Sequence, residues 1–571
     1  MRILLLVHSF NSLAQRLHVE LGRDGHELSV EFDIHDRVTE EAVALFRPEL
    51  VIAPFLKRAI PASVWQHHRC LVVHPGPPGD RGPSALDWAI LRGRSLWGVT
   101  VLQADAEMDA GAVWASQLFP MRAATKSSLY RHEVTQSAVI AVREAIARIT
   151  AGASPLSSGN RACDGEPGWQ PAMKQSDRLI DWAVDDSAAV LRKINSADGF
   201  PGIEDVMFGQ CFRMFDGRPA EGIIGRPGAV VGCNDDAICR ATADGAVWIG
   251  QLQPVGSTAR GFKRPAMRAL GPSAKQLPHL DQDRADGHDG EIRYEESARV
   301  GYLSFDLYNG ALSTGQCHRL RAAYARARER PTRVIVLTGG PDFWCNGMHL
   351  HCIEAADSPA EASWANINAI DDLAHDILAT DSHLTVAALR GNAAAGGVFL
   401  ALAADRVMAR STVVLNAHYR NMGNLYGSEY WTYLLPRRVG AERARDIMAS
   451  RLPLGAAEAL ALGLIDDVAG VDAEGFVAFV EAAARKMAEA GDFQERLKSK
   501  RDRRSRDEQE RALATYRDDE LRRMQLNFFG FDPSYHIARH RFVHRDPLSW
   551  TPLHLARHRR SDLRSNAVAS T

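Results

Sequence analysis

A short apolar strand, Cys70 to Val73, runs into a histidine and then into a loop dense in proline and glycine. From Val72 to Ala89 the chain reads V-V-H-P-G-P-P-G-D-R-G-P-S-A-L-D-W-A. Such a loop continues neither a strand nor a helix, because proline removes a donor and glycine leaves the backbone unrestrained. A helix is predicted to open after Pro83 and Ser84, with Ser84 as its N-cap and Leu86, Ile90 and Leu91 as its apolar stripe. Strand, loop and helix in this order point to an open α/β sheet, where ligands bind at strand ends. His74 stands at such an end. A further predicted strand, Val99 to Leu102, leads into D-A-E-M-D-A-G, which places Asp109 just before Gly111. An imidazole and a carboxylate at two strand ends are the minimum for holding a protonated His over a carbonyl.

These residues resemble the signature of the 10-formyltetrahydrofolate transferases, in which a His precedes Arg-Gly and an Asp-x-Gly follows later. His74, Arg81, Gly82 and Asp109-Ala110-Gly111 match; the Asn of the signature falls at Val72 and does not. The resemblance implies 10-formyltetrahydrofolate as formyl donor and His74 with Asp109 as a catalytic pair. Asn11, in the loop after the first predicted strand, is the candidate substitute for the absent Asn. The segment Phe55 to Pro61 lies where these transferases line the pterin pocket, so Lys57 and Ile60 join Asn11 and Arg81 as expected folate contacts.

The chain of 571 residues has room for three or four domains. A net charge of −2 argues against a nucleic-acid coat or a polybasic membrane surface. Eight scattered cysteines without C-x-x-C suggest neither a disulfide framework nor a zinc ribbon, and a reducing cytoplasm fits. No metal site is expected, since the C-terminal histidines lack ligand spacing. No apolar run is long enough to span a membrane. Ile3 to Val7 reads as a buried strand and Leu13 to Leu21 as a helix, with no G-x-G-x-x-G between them, which speaks against a dinucleotide. Ser128 to Ile149 is predicted as one amphipathic helix. Arg131 in its first turn is unusual there, and either a bound anion or plain exposure accounts for it.

Gly152 to Gly168 and Pro272 to Gly290 read as linkers. Between them, short predicted strands with turns at Asp216-Gly217 and Asp244-Gly245 resemble the β-rich C-terminal domain of methionyl-tRNA formyltransferase. No basic face accumulates, so no tRNA is expected.

Beyond Val300 the pattern changes. Arg333 to Thr338 is a predicted buried strand followed by G-G-P-D-F-W-C-N-G-M, and Thr385 to Leu389 is another, followed by G-N-A-A-A-G-G and an apolar helix. Two strand-to-helix turns with free N–H groups can pinch one carbonyl oxygen. This order resembles the crotonase (enoyl-CoA hydratase/isomerase) superfamily over roughly residues 291 to 490. The resemblance puts its oxyanion donors on Met348 and Gly396 and implies a bound acyl-CoA thioester. Its two catalytic glutamates fall at Phe399 and Tyr419, so ordinary hydration chemistry is not expected. Tyr419 and Glu429 are the candidate replacements, with either as base, and Tyr426, Tyr430, Trp431 and Tyr433 are expected to keep water from Glu429. Lys498 to Arg523 mixes both charge signs and reads as a solvated helix. Arg539 and Arg541 beyond it offer forks suited to phosphate.

The predicted class is α/β throughout: a formyltransferase Rossmann-like domain at 1–160, a small β-rich domain at 161–275, a linker at 276–290, a crotonase-like ββα spiral domain at 291–545 and a tail at 546–571. That order resembles the HypX/HoxX family of hydrogenase maturation proteins. The resemblance implies transfer of formyl to coenzyme A, breakdown of formyl-CoA to carbon monoxide for the iron of [NiFe] hydrogenase, and maturation proteins as its receivers. It also implies coenzyme A contacts from Gln15, Arg131, Ser196, Asn309, Arg539 and Arg541. Two rivals share the same residues: an amine formyltransferase fused to an unrelated acyl-CoA enzyme, and a non-catalytic maturation scaffold.

Overall fold

The apolar run Arg2–Val7 forms strand β1, buried from Ile3 onward. Glu27–Phe32 (β2), Leu50–Phe55 (β3), Cys70–His74 (β4), Leu96–Gln103 (β5) and Val113–Pro120 (β6) join it in one sheet of order β2-β1-β3-β4-β5-β6. Strands β1 to β4 are parallel, and β5 and β6 run antiparallel. Near-continuous apolar strands suit a sheet covered on both faces. In this computed structural model, residues 1–156, 168–256, 261–280, 290–470 and 472–560 are described. They fall into two compact units, Met1–Asp281 with Pro547–Thr571, and Gln282–Asp546.

In the first unit, the helix Ser12–Arg23 follows β1 and Asp36–Phe46 follows β2. The predicted helix over Ser128 to Ile149 is realised as Lys126–Leu129, a π-helical turn Tyr130–Val134, and Thr135–Thr150. π turns inside helices often accompany functional sites. The C-terminal segment predicted as a tail lies against the edge strand β2. There Val30 N–H donates to Leu555 C=O (3.0 Å) and Phe32 N–H to Thr551 Oγ1 (2.8 Å). His558 Nε2 and Arg559 Nη2 reach buried Glu31 at 3.0 and 2.7 Å. These bonds occupy polar groups that an open edge strand would leave unpaired.

The second sheet of this unit is antiparallel: Ile203–Met207 (β7), Gln210–Ala220 (β8), Val230–Asn234 (β9), Ala237–Ala241 (β10) and Ala246–Pro254 (β11), in the order β7-β8-β11-β10-β9, with Arg264–Pro265 (β12) beside β11. Asp244-Gly245 makes the expected turn, but Asp216-Gly217 lies within β8. Asp216 takes a left-handed backbone (φ 57°), and its carboxyl fills the space beside Gly250 that a side chain there would need. Part of each expected linker, residues 157–167 and 281–289, lies outside the described residues. The start of the second is ordered: Gly271–Gln276 is a 3₁₀ helix and His279 bridges to Cys233.

The second unit repeats one move. A long strand is followed by a short strand in a second sheet and then by a helix. Val334–Gly339 (β15), Phe343–Cys345 (β16) and the helix Leu350–Glu354 form one repeat; Leu384–Leu389 (β17), Asn392–Ala394 (β18) and the helix Gly396–Leu402 form the next. With Ile292–Ser297 (β13), Val300–Phe305 (β14), Arg406–Arg410 (β19), Val414–Asn416 (β20), Leu454–Gly455 (β21) and Asp467–Ala469 (β22), the orders are β13-β14-β15-β17-β19-β22 and β16-β18-β20-β21. Leu303, Phe305, Trp344, Phe399 and Leu435 share its main core. Among the described residues no helix is long and apolar enough to cross a membrane.

Candidate active sites

In the first unit, β4 delivers His74 to the loop that the glycines and prolines allow. Its Nε2 lies 2.9 Å from Asp80 Oδ2 and its Nδ1 3.4 Å from Asp109 Oδ2. A neutral ring donates to one carboxylate; a protonated ring donates to both. Asp109, at φ 54°, also accepts the Gly82 N–H at 3.0 Å. A Cβ at Gly76 would overlap the His74 ring and the Asp80 carboxyl, so the glycine is what lets this pair form. Asp80 lies inside the same proline- and glycine-rich loop, where no spacing or periodicity singles it out. Ser84 stands at the N-cap position, but its hydroxyl accepts Met173 N–H (3.0 Å) instead of capping the helix Ala85–Leu91.

The expected folate residues have these surroundings. Asn11 caps the helix Ser12–Arg23 by accepting Ala14 N–H (3.0 Å), and its Nδ2 donates to the Tyr130 hydroxyl at 3.5 Å. Tyr130, on the π turn beside Phe55, is a further polar group near that loop which periodicity could not single out. Arg81 pairs with Glu107 at 2.9 Å. Lys57 lies over the Phe200 ring at 6.0 Å. Ile60 is buried in a core cluster with Phe46 and Val64.

Of the expected coenzyme A residues, Gln15 donates to Phe10 C=O (2.9 Å) and Arg131 lies on the π turn. Asn309 sits at φ 58° with its carbonyl accepting from Asn346 Nδ2 (2.7 Å), and Arg541 is exposed. Two of these residues are engaged within the fold. Ser196 is fully buried, and its hydroxyl donates to Lys193 C=O (2.7 Å) within its own helix. Arg539 is buried and held by Glu354, Nε to Oε2 2.7 Å, so its fork is already occupied. The same glutamate gathers His540 (2.7 Å) and His544 (3.3 Å). These three residues converge closely enough to hold a cation, contrary to the spacing argument, because the carboxylate comes from a remote segment. The Arg539 guanidinium on that carboxylate already supplies its counter-charge.

In the second unit, the turns after β16 and β18 meet. Gly347, at φ 79°, lies against the Gly396 backbone. Leu312 pairs with both neighbours of Met348, donating to Gly347 C=O and accepting His349 N–H, which turns the Met348 N–H to the opposite side. The Gly396 N–H is among the free donors at a helix start. The carboxyl of Glu429 occupies the space where a side chain on Gly396 would be. The Tyr419 hydroxyl donates to Glu429 Oε2 (2.6 Å), as does the Ser428 N–H (3.2 Å). The Tyr419 ring stacks on Phe399 at 5.4 Å and leans on Gly427, whose φ of 90° and missing side chain make the room. Glu429 and Tyr430 are both left-handed (φ 59° and 60°), a strained pair of the kind found at functional sites.

Glu429 is 1% exposed. Burial first, and then the charges of Asp371 and Glu520, push its carboxyl up to about 8. Tyr419 is raised well above its ordinary value, by burial and then by Glu429. Asp371 and Glu520 were not foreseen. The helix Pro359–Leu378 supplies Asp371, and the helix Leu513–Phe529 supplies Glu520 from a stretch expected to be solvated. Each sits in its helix's buried stripe, Asp371 beside Ile367, Ile370 and Ala374, and Glu520 beside Leu521 and Met524. A charge at an apolar position of a periodic pattern was the available signal.

The enoyl-CoA hydratase/isomerase family model matches residues 295–542, the formyl transferase model 28–146, and the formyl transferase C-terminal domain model 172–263. The hydrogenase maturation factor HoxX of Bradyrhizobium diazoefficiens is 56% identical over 562 residues, 98% of this chain and 97% of that protein. The chain belongs to the HoxX/HypX family of hydrogenase maturation factors. A crystal structure of HypX from Aquifex aeolicus in complex with tetrahydrofolic acid superposes with a TM-score of 0.94 at 46% identity, covering 98% of this chain and 99% of that one. Methionyl-tRNA formyltransferase of Citrifermentans bemidjiense is 24% identical over 257 residues, 43% of this chain and 79% of that enzyme. The first unit is thus formyltransferase-like with its C-terminal β domain, and the second is crotonase-like.

Proposed function

We propose that the first unit moves a formyl group from 10-formyltetrahydrofolate to the thiol of coenzyme A, and that the second splits formyl-CoA into carbon monoxide and coenzyme A for the iron of [NiFe] hydrogenase. The observation that carries the reading is the Tyr419–Glu429 pair, buried directly over Gly396, where the family resemblance places a thioester carbonyl. The folate donor is supported by the tetrahydrofolic acid bound to the Aquifex relative.

In the first step the thiol sulfur adds to the formyl carbon while His74 protonates the forming oxyanion, and His74 takes that proton back as the C=O bond re-forms and the C–N bond breaks. Asp109 orients the ring through Nδ1. Asp80 yields Nε2 to the carbonyl oxygen, and the proton lost by the thiol reaches the departing folate nitrogen. Asn11, Arg81, Lys57 and Ile60 remain the proposed folate contacts. In the second step the Met348 and Gly396 N–H groups hold the formyl oxygen. Glu429, with Tyr419 bonded to it, takes the formyl proton, the C–S bond breaks, and the proton returns to the sulfur, leaving carbon monoxide and the free thiol. Water has to be kept out, because it would hydrolyse the thioester to formate. Gln15 and Arg131 in the first unit, and Asn309 and Arg541 in the second, are proposed contacts for coenzyme A.

Purified protein given 10-formyltetrahydrofolate and coenzyme A is expected to release gas that shifts haem absorbance. Tyr419→Phe or Glu429→Gln stops the gas and leaves formyl-CoA to accumulate; His74→Ala stops both. Gas released at the parent rate by both second-unit variants refutes the assignment. An amine formyltransferase or a scaffold yields no gas from the parent protein.

A further inference from the structure

Around Glu429 the second unit buries more carboxyl groups than one base requires. Asp371 and Glu520 are both 0% exposed, and one hydroxyl lies between them: Ser428 Oγ is 2.8 Å from Asp371 Oδ2 and 3.3 Å from Glu520 Oε2. A hydroxyl has one hydrogen to give. If both acids were ionised, one of them would face the lone pairs of Ser428 in a site closed to water, an arrangement that costs free energy. A single proton shared by the pair removes the conflict, because the protonated acid donates to Ser428 and Ser428 donates to the other.

The pair is wired to the base. Asp371 Oδ1 accepts the Glu429 N–H at 2.8 Å. Glu520 accepts the Tyr430 N–H (2.9 Å), the Thr432 N–H (2.8 Å) and the Thr432 hydroxyl (2.5 Å), and so clamps the chain just after Glu429. These contacts hold the two left-handed residues in place and bring negative charge next to the carboxyl. Other ionisable groups near Glu429 are Tyr419, which bonds it, and the thiols of Cys317 and Cys345, both raised by burial. Facing the pair are Arg517, whose Nε is 3.8 Å from Asp371 Oδ2, and half-buried Asp372, which pairs with Arg517 at 2.8 Å. Arg517 therefore answers one negative charge of the pair and not two.

We propose that Asp371 and Glu520 are positioning residues that share one proton across the Ser428 hydroxyl and, by the charge they keep, make Glu429 a strong base. This rests on the reading of Glu429 as the base and concerns what sets its strength. Both act through Glu429. Asp371→Asn is the cleanest perturbation: the amide oxygen can still accept the Glu429 N–H, its NH₂ can donate to Ser428, which then donates to Glu520, and the one charge that remains sits on Glu520, which acts on Glu429 less strongly than Asp371 does.

The test is an infrared pH titration of the full-length protein, in which the difference between parent and Glu429→Gln isolates the carboxylic-acid band of Glu429. In the Asp371→Asn background the midpoint of that band is expected to fall by on the order of one pH unit, the scale of coupling between adjacent buried acids. The acidic limb of carbon monoxide release is expected to fall by the same amount, while formyl transfer in the first unit stays at the parent rate. A midpoint unmoved in Asp371→Asn overturns the proposal. So does a Glu429→Gln spectrum at pH 7 with no buried carboxylic-acid band, a measurement that needs no substitution at Asp371. If no form of the protein releases gas, the decarbonylation reading fails, and the infrared midpoint still decides whether the pair governs Glu429.

Discussion

Replacing Glu429 with Gln asks whether a carboxyl is being held against its tendency to ionise. In the folded protein the group stands at about 8, raised by burial and by Asp371 and Glu520, against an ordinary value of 4.5. Between those values the folded chain keeps a proton that the unfolded chain has released. Stability must therefore fall as pH rises from about 4.5 to about 8 and level off above that. A gap of about 3.5 units corresponds to at most about 5 kcal/mol. The two neighbouring acids share that penalty, so on the order of a few kcal/mol falls to Glu429. Gln fits the site: Tyr419 and Ser428 both donate to Oε2, and an amide oxygen there accepts both. The variant should match the parent near pH 5 and exceed it at pH 8 by roughly 5–10 °C in the melting of the second unit. Scanning calorimetry of both proteins across that range measures the difference. An offset that does not change with pH, or a less stable variant at pH 8, refutes the account of a strained buried acid.

Three other outcomes follow from the same geometry. Carbon monoxide release should rise with pH and level off near 8, because the ionised form of Glu429 is the proposed base; a rate that falls across that range contradicts the role. Gly396→Ala puts a methyl group into the Glu429 carboxyl and should lower gas release by about 100-fold or more while formyl-CoA still forms, as followed by chromatography of the thioester. Asp80→Asn should slow formyl transfer less than Asp109→Asn, since Asp80 holds the nitrogen that must be freed for substrate and Asp109 orients the ring; single-turnover formyl transfer ranks the two.

Much of the first site was legible because its residues lie close together in one loop. His74, Arg81 and Gly82 sit within a single strand-to-helix connection, and Asp109 is reached from the next hairpin. Asp80 lay in the same loop and was missed because nothing in a one-dimensional reading says which way a loop carboxylate points. The π turn at Tyr130–Val134 was illegible for a related reason: helical periodicity carries straight across it, and only tertiary packing at Asn11 and Phe55 marks the place. Arg539 shows what spacing along the chain hides. Its fork suits an anion, and here it meets Glu354, 185 positions away in the chain.

The second site shows why composition misleads where charge is buried. Lys498 to Arg523 reads as solvated because most of its residues are charged, yet Lys500 is buried against Asp405 (2.6 Å) and Glu520 against Ser428 and Thr432. The decisive quantity is the position of each charge relative to the apolar stripe, not the number of charges. The crotonase resemblance puts its two water-activating carboxylates at Phe399 and Tyr419, and neither side chain is a carboxylate. The carboxyl that remains enters from a left-handed turn and lies over Gly396 with a phenol bonded to it. On the proposed reading, moving the base from the water-activating positions to the place above a thioester carbonyl changes which proton it can reach: no longer one on water, but the single hydrogen on a formyl carbon. The frame is kept, and the reaction proposed for it is different.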